Sequence, residues 1–108
     1  MANSYKFKGV ALATGSETAL LTAASTETII IKSIIATNNT SNTPTLSLDV
    51  SDSSASAEYT ILKTQTLAAN TAVEILTVPL ILEPSDAIKA TVSSSDSIHF
   101  GISYLVIT

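Results

Sequence analysis

Between Thr45 and Ser51 the chain alternates strictly, with Leu46, Leu48 and Val50 on one side and Ser47, Asp49 and Ser51 on the other. A two-residue period of this kind is the mark of a strand with one buried face. The same period returns where Ile88, Ala90 and Val92 alternate with Lys89 and Thr91, and where Val73 and Ile75 flank Glu74. Strands are predicted at residues 10–13, 18–22, 28–37, 45–50, 59–62, 72–77, 87–92 and 98–107, separated by turn-rich segments. No 3.6-residue pattern is long enough for a helix. The expectation is an all-β chain, a two-sheet antiparallel β-sandwich of jelly-roll type with seven to eight short strands. Pro44 and Pro84 fall in predicted connections, whereas Pro79 interrupts the apolar run at residues 75–82 and makes it an edge, a bend or two short pieces.

Two strands carry more apolar residues than one face holds. In the third, Ile29, Ile31 and Ile35 are read on one face and Ile30, Ile34 and Ala36 on the other. In the last, Phe100, Ile102, Tyr104 and Val106 oppose Leu105 and Ile107. A sandwich buries only its inner faces, so the surplus needs another cover. Left wet, Ile30, Ile34, Leu105 and Ile107 would each forfeit roughly 1.5–3 kcal/mol of burial. These four residues are the candidate oligomer interface. The competing cover is the N-terminal segment around Tyr5 and Phe7, with residues 1–9 lying as an arm on the domain that spans residues 1–108.

Composition sharpens this picture. Among 108 residues there are sixteen Ser and sixteen Thr, but also twenty-nine Ile, Leu and Val, too many to remain unburied in a disordered chain. Charged residues make up 13%, about half the usual share, which fits a surface coated by hydroxyls or covered by neighbouring subunits. With no Cys, neither a disulfide framework nor a thiolate metal site is available. The net charge of -4, without any Arg, argues against a nucleic-acid partner. The longest apolar stretch, residues 28–36, is broken by Lys32 and Ser33 and falls short of the ~20 residues of a membrane-spanning helix. The start of the chain, polar with Lys6 and Lys8, does not read as an export signal.

Candidate chemistry is sparse. His99 is the sole histidine, and although Asp96 is near in sequence there is no strand-to-helix nucleophile elbow, so no catalytic residue is assigned. Asp49 and Asp52 lack the glycine and acidic spacing of a calcium loop, so no metal ligand is assigned either. Gly9 and Gly15 are isolated and make no phosphate-cradling loop, leaving no cofactor site. Asn38 and Asn39 each head an N-x-[ST] triplet and are read as turn formers. The few aromatics, Tyr5, Phe7, Tyr59, Phe100 and Tyr104, are read as core or interface packing.

Four segments carry a resemblance: residues 10–18 (VALATGSET), Ile31-Lys32-Ser33-Ile34 followed by Thr37-Asn38-Asn39-Thr40, residues 73–83 (VEILTVPLILE), and residues 102–108 (ISYLVIT). In this order they resemble small β-sandwich virion structural proteins of tailed bacteriophages, of marine and cyanobacterial type. The resemblance implies a non-enzymatic, particle-bound role: decorating or cementing the capsid, or serving as a neck, tail or fibre component. It also implies assembly in the host cytoplasm against a major capsid or tail protein. Low charge and doubly apolar strands add the expectation of a homo-oligomer, with a trimer favoured. The alternative is a glycan- or receptor-binding module using loops at residues 38–43 and 51–56. Two turns depart from the family pattern. Ala23-Ala24-Ser25-Thr26 stands where relatives carry a Pro-Ala-Gly type turn, and Ser85 stands where they carry Gly. Each asks a residue with a side chain to form a corner.

Overall fold

The structure, a computed structural model, describes residues 2–108. Its strands are β1 (Asn3–Leu12), β2 (Thr18–Thr22), β3 (Thr28–Asn38), β4 (Thr45–Asp52), β5 (Ala57–Thr66), β6 (Ala72–Leu76), β7 (Leu80–Leu82), β8 (Ala87–Val92) and β9 (Ile98–Ile107). A long sheet has the order β1-β9-β3-β6, with β7 also on β3, and faces a shorter sheet of order β2-β8-β4-β5. β6 pairs with Ile34 to Thr37 and β7 with Ile29 to Ile31, so both occupy the same side of β3. They are one strand column broken around Pro79, which cannot donate to a ladder. Counted this way, the nine strands form the eight columns of a jelly roll, the chain crossing between sheets at most connections. The all-β, two-sheet expectation holds, including the effect of Pro79.

Alternation places the core. Leu46 and Leu48 of β4, Ile88, Ala90 and Val92 of β8, and Ile98 and Ile102 of β9 are fully buried between the sheets. They pack with Leu20, Ile29, Ile31 and Leu82 in one cluster.

Three strands differ from expectation. β1 begins at Asn3 and not near residue 10, because it pairs with β9 from Asn3↔Ile107 to Leu12↔Ile98. Backbone pairing of this kind is indifferent to side-chain polarity. β5 is likewise longer than residues 59–62, as an exposed edge with two register shifts against β4. In β3 the register against β9 jumps between Ile31 and Ser33, leaving Lys32 as a bulged residue. An extra residue inverts the side-chain phase beyond it. Ile29 and Ile31 therefore point inward before the bulge, and Ile34 and Ala36 point inward after it.

Buried polar residues tie the loops. The Asn38 side-chain amide donates to the carbonyls of Asn42 (2.8 Å), Leu67 and Ala68 (both 3.3 Å). Its carbonyl oxygen accepts from the Thr40 backbone N–H and hydroxyl. Asp86 is also buried; its carboxylate accepts the backbone N–H groups of Ser53 (2.9 Å) and Glu83 (3.0 Å). The turn at residues 83–86 closes with the Asp86 N–H donating to the Glu83 carbonyl, and Ser85 adopts φ 71° at its third position. The turn at residues 24–27 needs no such conformation: the Glu27 N–H donates to the Ala24 carbonyl, and the Glu27 carboxylate accepts the Ala24 N–H.

Candidate interaction surface

The two outer faces of the sandwich differ in kind. On the short sheet, the outward positions of β4 and β8 are Thr45, Ser47, Asp49, Ser51, Lys89 and Thr91, alternating with buried aliphatics. Across the neighbouring strand, Glu58 pairs with Lys89 at 3.1 Å, an exposed ion pair of the modest kind. This face is solvated by design of its sequence.

The long sheet carries an apolar row on its outer face. Its register aligns Tyr5 with Leu105, Leu105 with Ile30, and Ile30 with Ile81. Those four side chains form one transverse row across β1, β9, β3 and β7. Tyr5 is 77% exposed and Ile81 59%, while Ile30 and Leu105 between them are half-buried by their neighbours. Ile107 sits one step along β9, opposite Asn3 and Thr28. Three of the four expected interface residues, Ile30, Leu105 and Ile107, thus share this outer face. Ile34 does not: the Lys32 bulge turns it into the core, where it is fully buried, and brings Ile35 outward at 41% exposure.

The alternative cover also falls elsewhere. Tyr5 and Phe7 lie in β1 at the edge of the same sheet and point outward, so they enlarge the apolar face. Phe7 is 71% exposed and its ring leans over two glycines. Gly9 and Gly101 stand directly opposite in the β1–β9 register, and a Cβ on Gly101 would meet the Phe7 ring at 3.2 Å. Beside the ring runs an open groove of about 530 Å³, lined by Gly9, Ala11, Ile35, Thr37, His99 and Gly101 among others. His99 is exposed there, opposite Ala11 and Thr37, and is not brought to Asp96. The Asp96 carboxylate instead accepts hydrogen bonds from the Ser94 hydroxyl and from the Asn42 amide at 2.9 Å. Those two donors, Ser94 first, hold its carboxyl below the ordinary carboxylate range.

Among the described residues, two clusters of carboxylates lie within reach of one another: Glu17, Asp49 and Glu58, and Asp52, Glu83 and Asp86. In the first, a hydrogen bond with Asp49 is the main cause raising the Glu17 carboxyl above its ordinary range, and Lys89 already neutralises Glu58. In the second, both Asp86 oxygens are taken by backbone N–H groups. Asp52 accepts from the Ser54 hydroxyl and the Ala55 N–H, closing the β4–β5 hairpin. These acids do local structural work.

The sequence pattern missed Ile35, Ile81 and Phe7 as members of the outer face. The available signal was the Lys32-Ser33 pair: two adjacent polar residues inside an isoleucine run are what a bulge leaves in a two-residue period.

No family model matches the chain, and no curated protein sequence matches it. Solved structures share its fold. A chain of infectious bursal disease virus, Gx strain, is similar at TM-score 0.58 and 14% identity over 98% of this chain; this chain spans 32% of that one. A Bacillus endospore appendage protein, of a family forming disulfide-linked pili, is similar at TM-score 0.55 and 9% identity, covering 100% of this chain and 91% of its own. The Drosophila NLP core, studied for pentamer formation and histone binding, is similar at TM-score 0.52 and 16% identity, covering 91% and 96%. At such identities the likeness establishes the β-sandwich and nothing narrower.

Proposed function

We propose that this chain is a non-enzymatic structural protein of a phage particle, which associates with its own copies and decorates or cements the capsid. The observation that carries the reading is the row Tyr5, Leu105, Ile30 and Ile81, four apolar side chains in register across four strands of the long sheet's outer face, where the central strands of the short sheet present hydroxyls and charges. An apolar face of this kind marks a contact surface. Supporting it are the phage-protein resemblance of the sequence and a fold shared with chains from a virus, a pilus and a pentamer. In this reading Ile30, Leu105 and Ile107, joined by Ile35, Ile81, Tyr5 and Phe7, form the oligomer interface. A closed ring, three-fold by expectation, then docks on a major capsid or tail protein of the same particle. Assembly takes place in the host cytoplasm. A neck, tail or fibre position is served by the same mechanism.

A receptor- or glycan-binding role would fall to the loops. The first of them is already committed, since the Asn38 amide donates internally to three carbonyls. The second contributes Ser51, Asp52, Ser53 and Ser56 to a shallow polar hollow with Ser85. Glycan-array binding that is lost on replacing these serines would favour that role.

Mass spectrometry of purified phage particles tests the proposal. Many copies per particle are expected, and absence of the chain from intact particles would end it.

A further inference from the structure

We infer that the groove beside Phe7 receives the Phe7 ring of a second copy of this chain, so that two long sheets pack face to face about a two-fold axis. This rests on the reading of the outer face as a contact between copies and adds the geometry of that contact.

In an isologous interface one patch meets itself, so a protruding group and the recess that takes it must lie on the same patch. Phe7 projects from β1 with 71% of its surface exposed, and the groove begins at its own ring. The Phe7 ring itself lies over Gly9 and Gly101 at one end of the groove, and the open floor beyond it is low because Ala11 brings only a methyl group to it. Its far wall is Ile35 and Thr37 on β3, beyond Ala11 and His99. The lining is mainly aliphatic and aromatic, the surroundings an inserted ring requires.

Charge points to the same occupant. The chain carries a net charge of -4, yet the outward side of the long sheet's strands carries only Lys32 and Glu74. One cation and one anion on a face let a copy approach its like without repulsion, and allow each to find its opposite across the axis. The acids that make the chain negative, such as Asp49, Glu58, Asp86 and Asp96, belong to the short sheet or to loops.

Size is sufficient. Four columns of strands about ten residues long offer roughly 600 Å² a side, so a pair would bury about 1,200 Å², the lower bound of specific interfaces. Edge pairing is the competing route to association, and the edges are blunted. β1 carries Lys6 and Lys8, both exposed, on the side of the strand opposite Tyr5 and Phe7; β2 is five residues long with a register shift, β5 has two shifts, and β6 and β7 are separated by Pro79. Such features resist strand addition. A two-fold contact through this face and a three-fold ring through it exclude each other, so the number of copies in the oligomer decides between them.

The experiment is sedimentation velocity over a concentration series for the parent, Phe7→Ala, Ile35→Asp and a control, Thr60→Asp on the short sheet. It is paired with isotope-filtered NMR on a mixture of labelled and unlabelled chains. Expected are a dimer or an even multiple, intermolecular contacts from the Phe7 ring to the Ile35 or Ala11 methyls, and dissociation constants raised roughly thirtyfold or more in both variants but not in the control. Circular dichroism checks that each variant is folded. An oligomer that persists in both variants without those contacts, or one of odd number only, overturns the two-fold geometry and leaves self-association standing. A parent that stays monomeric throughout overturns both.

Discussion

Gly101 lies beneath the ring of Phe7, so close that a single added methyl would stand 3.2 Å from the ring edge. Phe7 stands opposite Ser103 in the register, so its ring reaches diagonally over Gly101 and over Gly9, which faces Gly101. An aromatic laid over glycine restores the cover that a bare strand backbone lacks. It also fixes where the ring stands relative to the groove.

Gly101→Ala should therefore separate stability from association. Alanine is the better strand residue by about 0.5–1 kcal/mol, and the displaced ring is free to swing into solvent, so the melting temperature should hold or rise slightly. Association should weaken, because Phe7 no longer occupies its seat. Differential scanning calorimetry and light scattering on the same sample read the two effects; a variant that unfolds, or associates as the parent does, would contradict this role for the glycine.

Asn38 is the buried polar residue with the most to lose. Replacing it with Ala leaves the carbonyls of Asn42, Leu67 and Ala68 without its amide and weakens the tie between the β3–β4 and β5–β6 loops, which then rests on backbone bonds such as Leu67 N–H to Pro44 and Asn70 N–H to Thr40. A loss of about 3 kcal/mol is expected in urea denaturation. Hydrogen exchange should quicken in both loops together; a loss below about 1 kcal/mol would mean water replaces the amide.

Ser85 holds a left-handed conformation, φ 71°, at the third position of a turn whose second residue is Pro84. A side chain there costs energy that glycine avoids, partly offset by the greater freedom of glycine in the unfolded chain. Ser85→Gly should stabilise by about 0.5–1 kcal/mol, visible as a rise of a few degrees in melting temperature. A fall would show that the Ser85 hydroxyl matters more than its backbone.

These turns illustrate what the sequence could and could not disclose. Alternation at Leu46 to Val50 and Ile88 to Val92 is a direct record of which side faces the core, and the bounds of β2, β8 and β9 follow from it. Pro79 likewise announces the break between β6 and β7. The phase of β3 was not legible beyond Lys32, because isoleucine occupies both faces and only pairing with β9 decides which are buried. The period alone puts Ile34 outside and Ile35 inside. The first half of β1 was hidden for the opposite reason: its lysines and exposed aromatics suit an edge strand but imitate a solvated arm. The outer row needs four strands to come into register, information that no local period contains.

Two carboxylates give the chain opposite pH responses. Asp96, lowered by Ser94 and Asn42, contributes stability that is present above its ordinary value of 3.8 and is lost as pH falls through its lower folded value. Glu17, raised chiefly by its hydrogen bond with Asp49, contributes stability that is present below its ordinary value of 4.5 and is lost as pH rises through its higher folded value. Asp96→Asn should flatten the acid-side decline, and Glu17→Gln should remove the loss that accompanies rising pH. Denaturation midpoints at a series of pH values from acid to neutral check both; unchanged profiles would contradict these hydrogen bonds.

Copies of the chain are expected to cover the outer face of the long sheet. Multi-angle light scattering on the purified chain at micromolar concentration measures this most directly, with Leu105→Glu as the paired variant. The prediction is a mass that is a multiple of 11.2 kDa for the parent, falling to the single-chain value when a charge enters the row. A folded parent at the single-chain mass would contradict it.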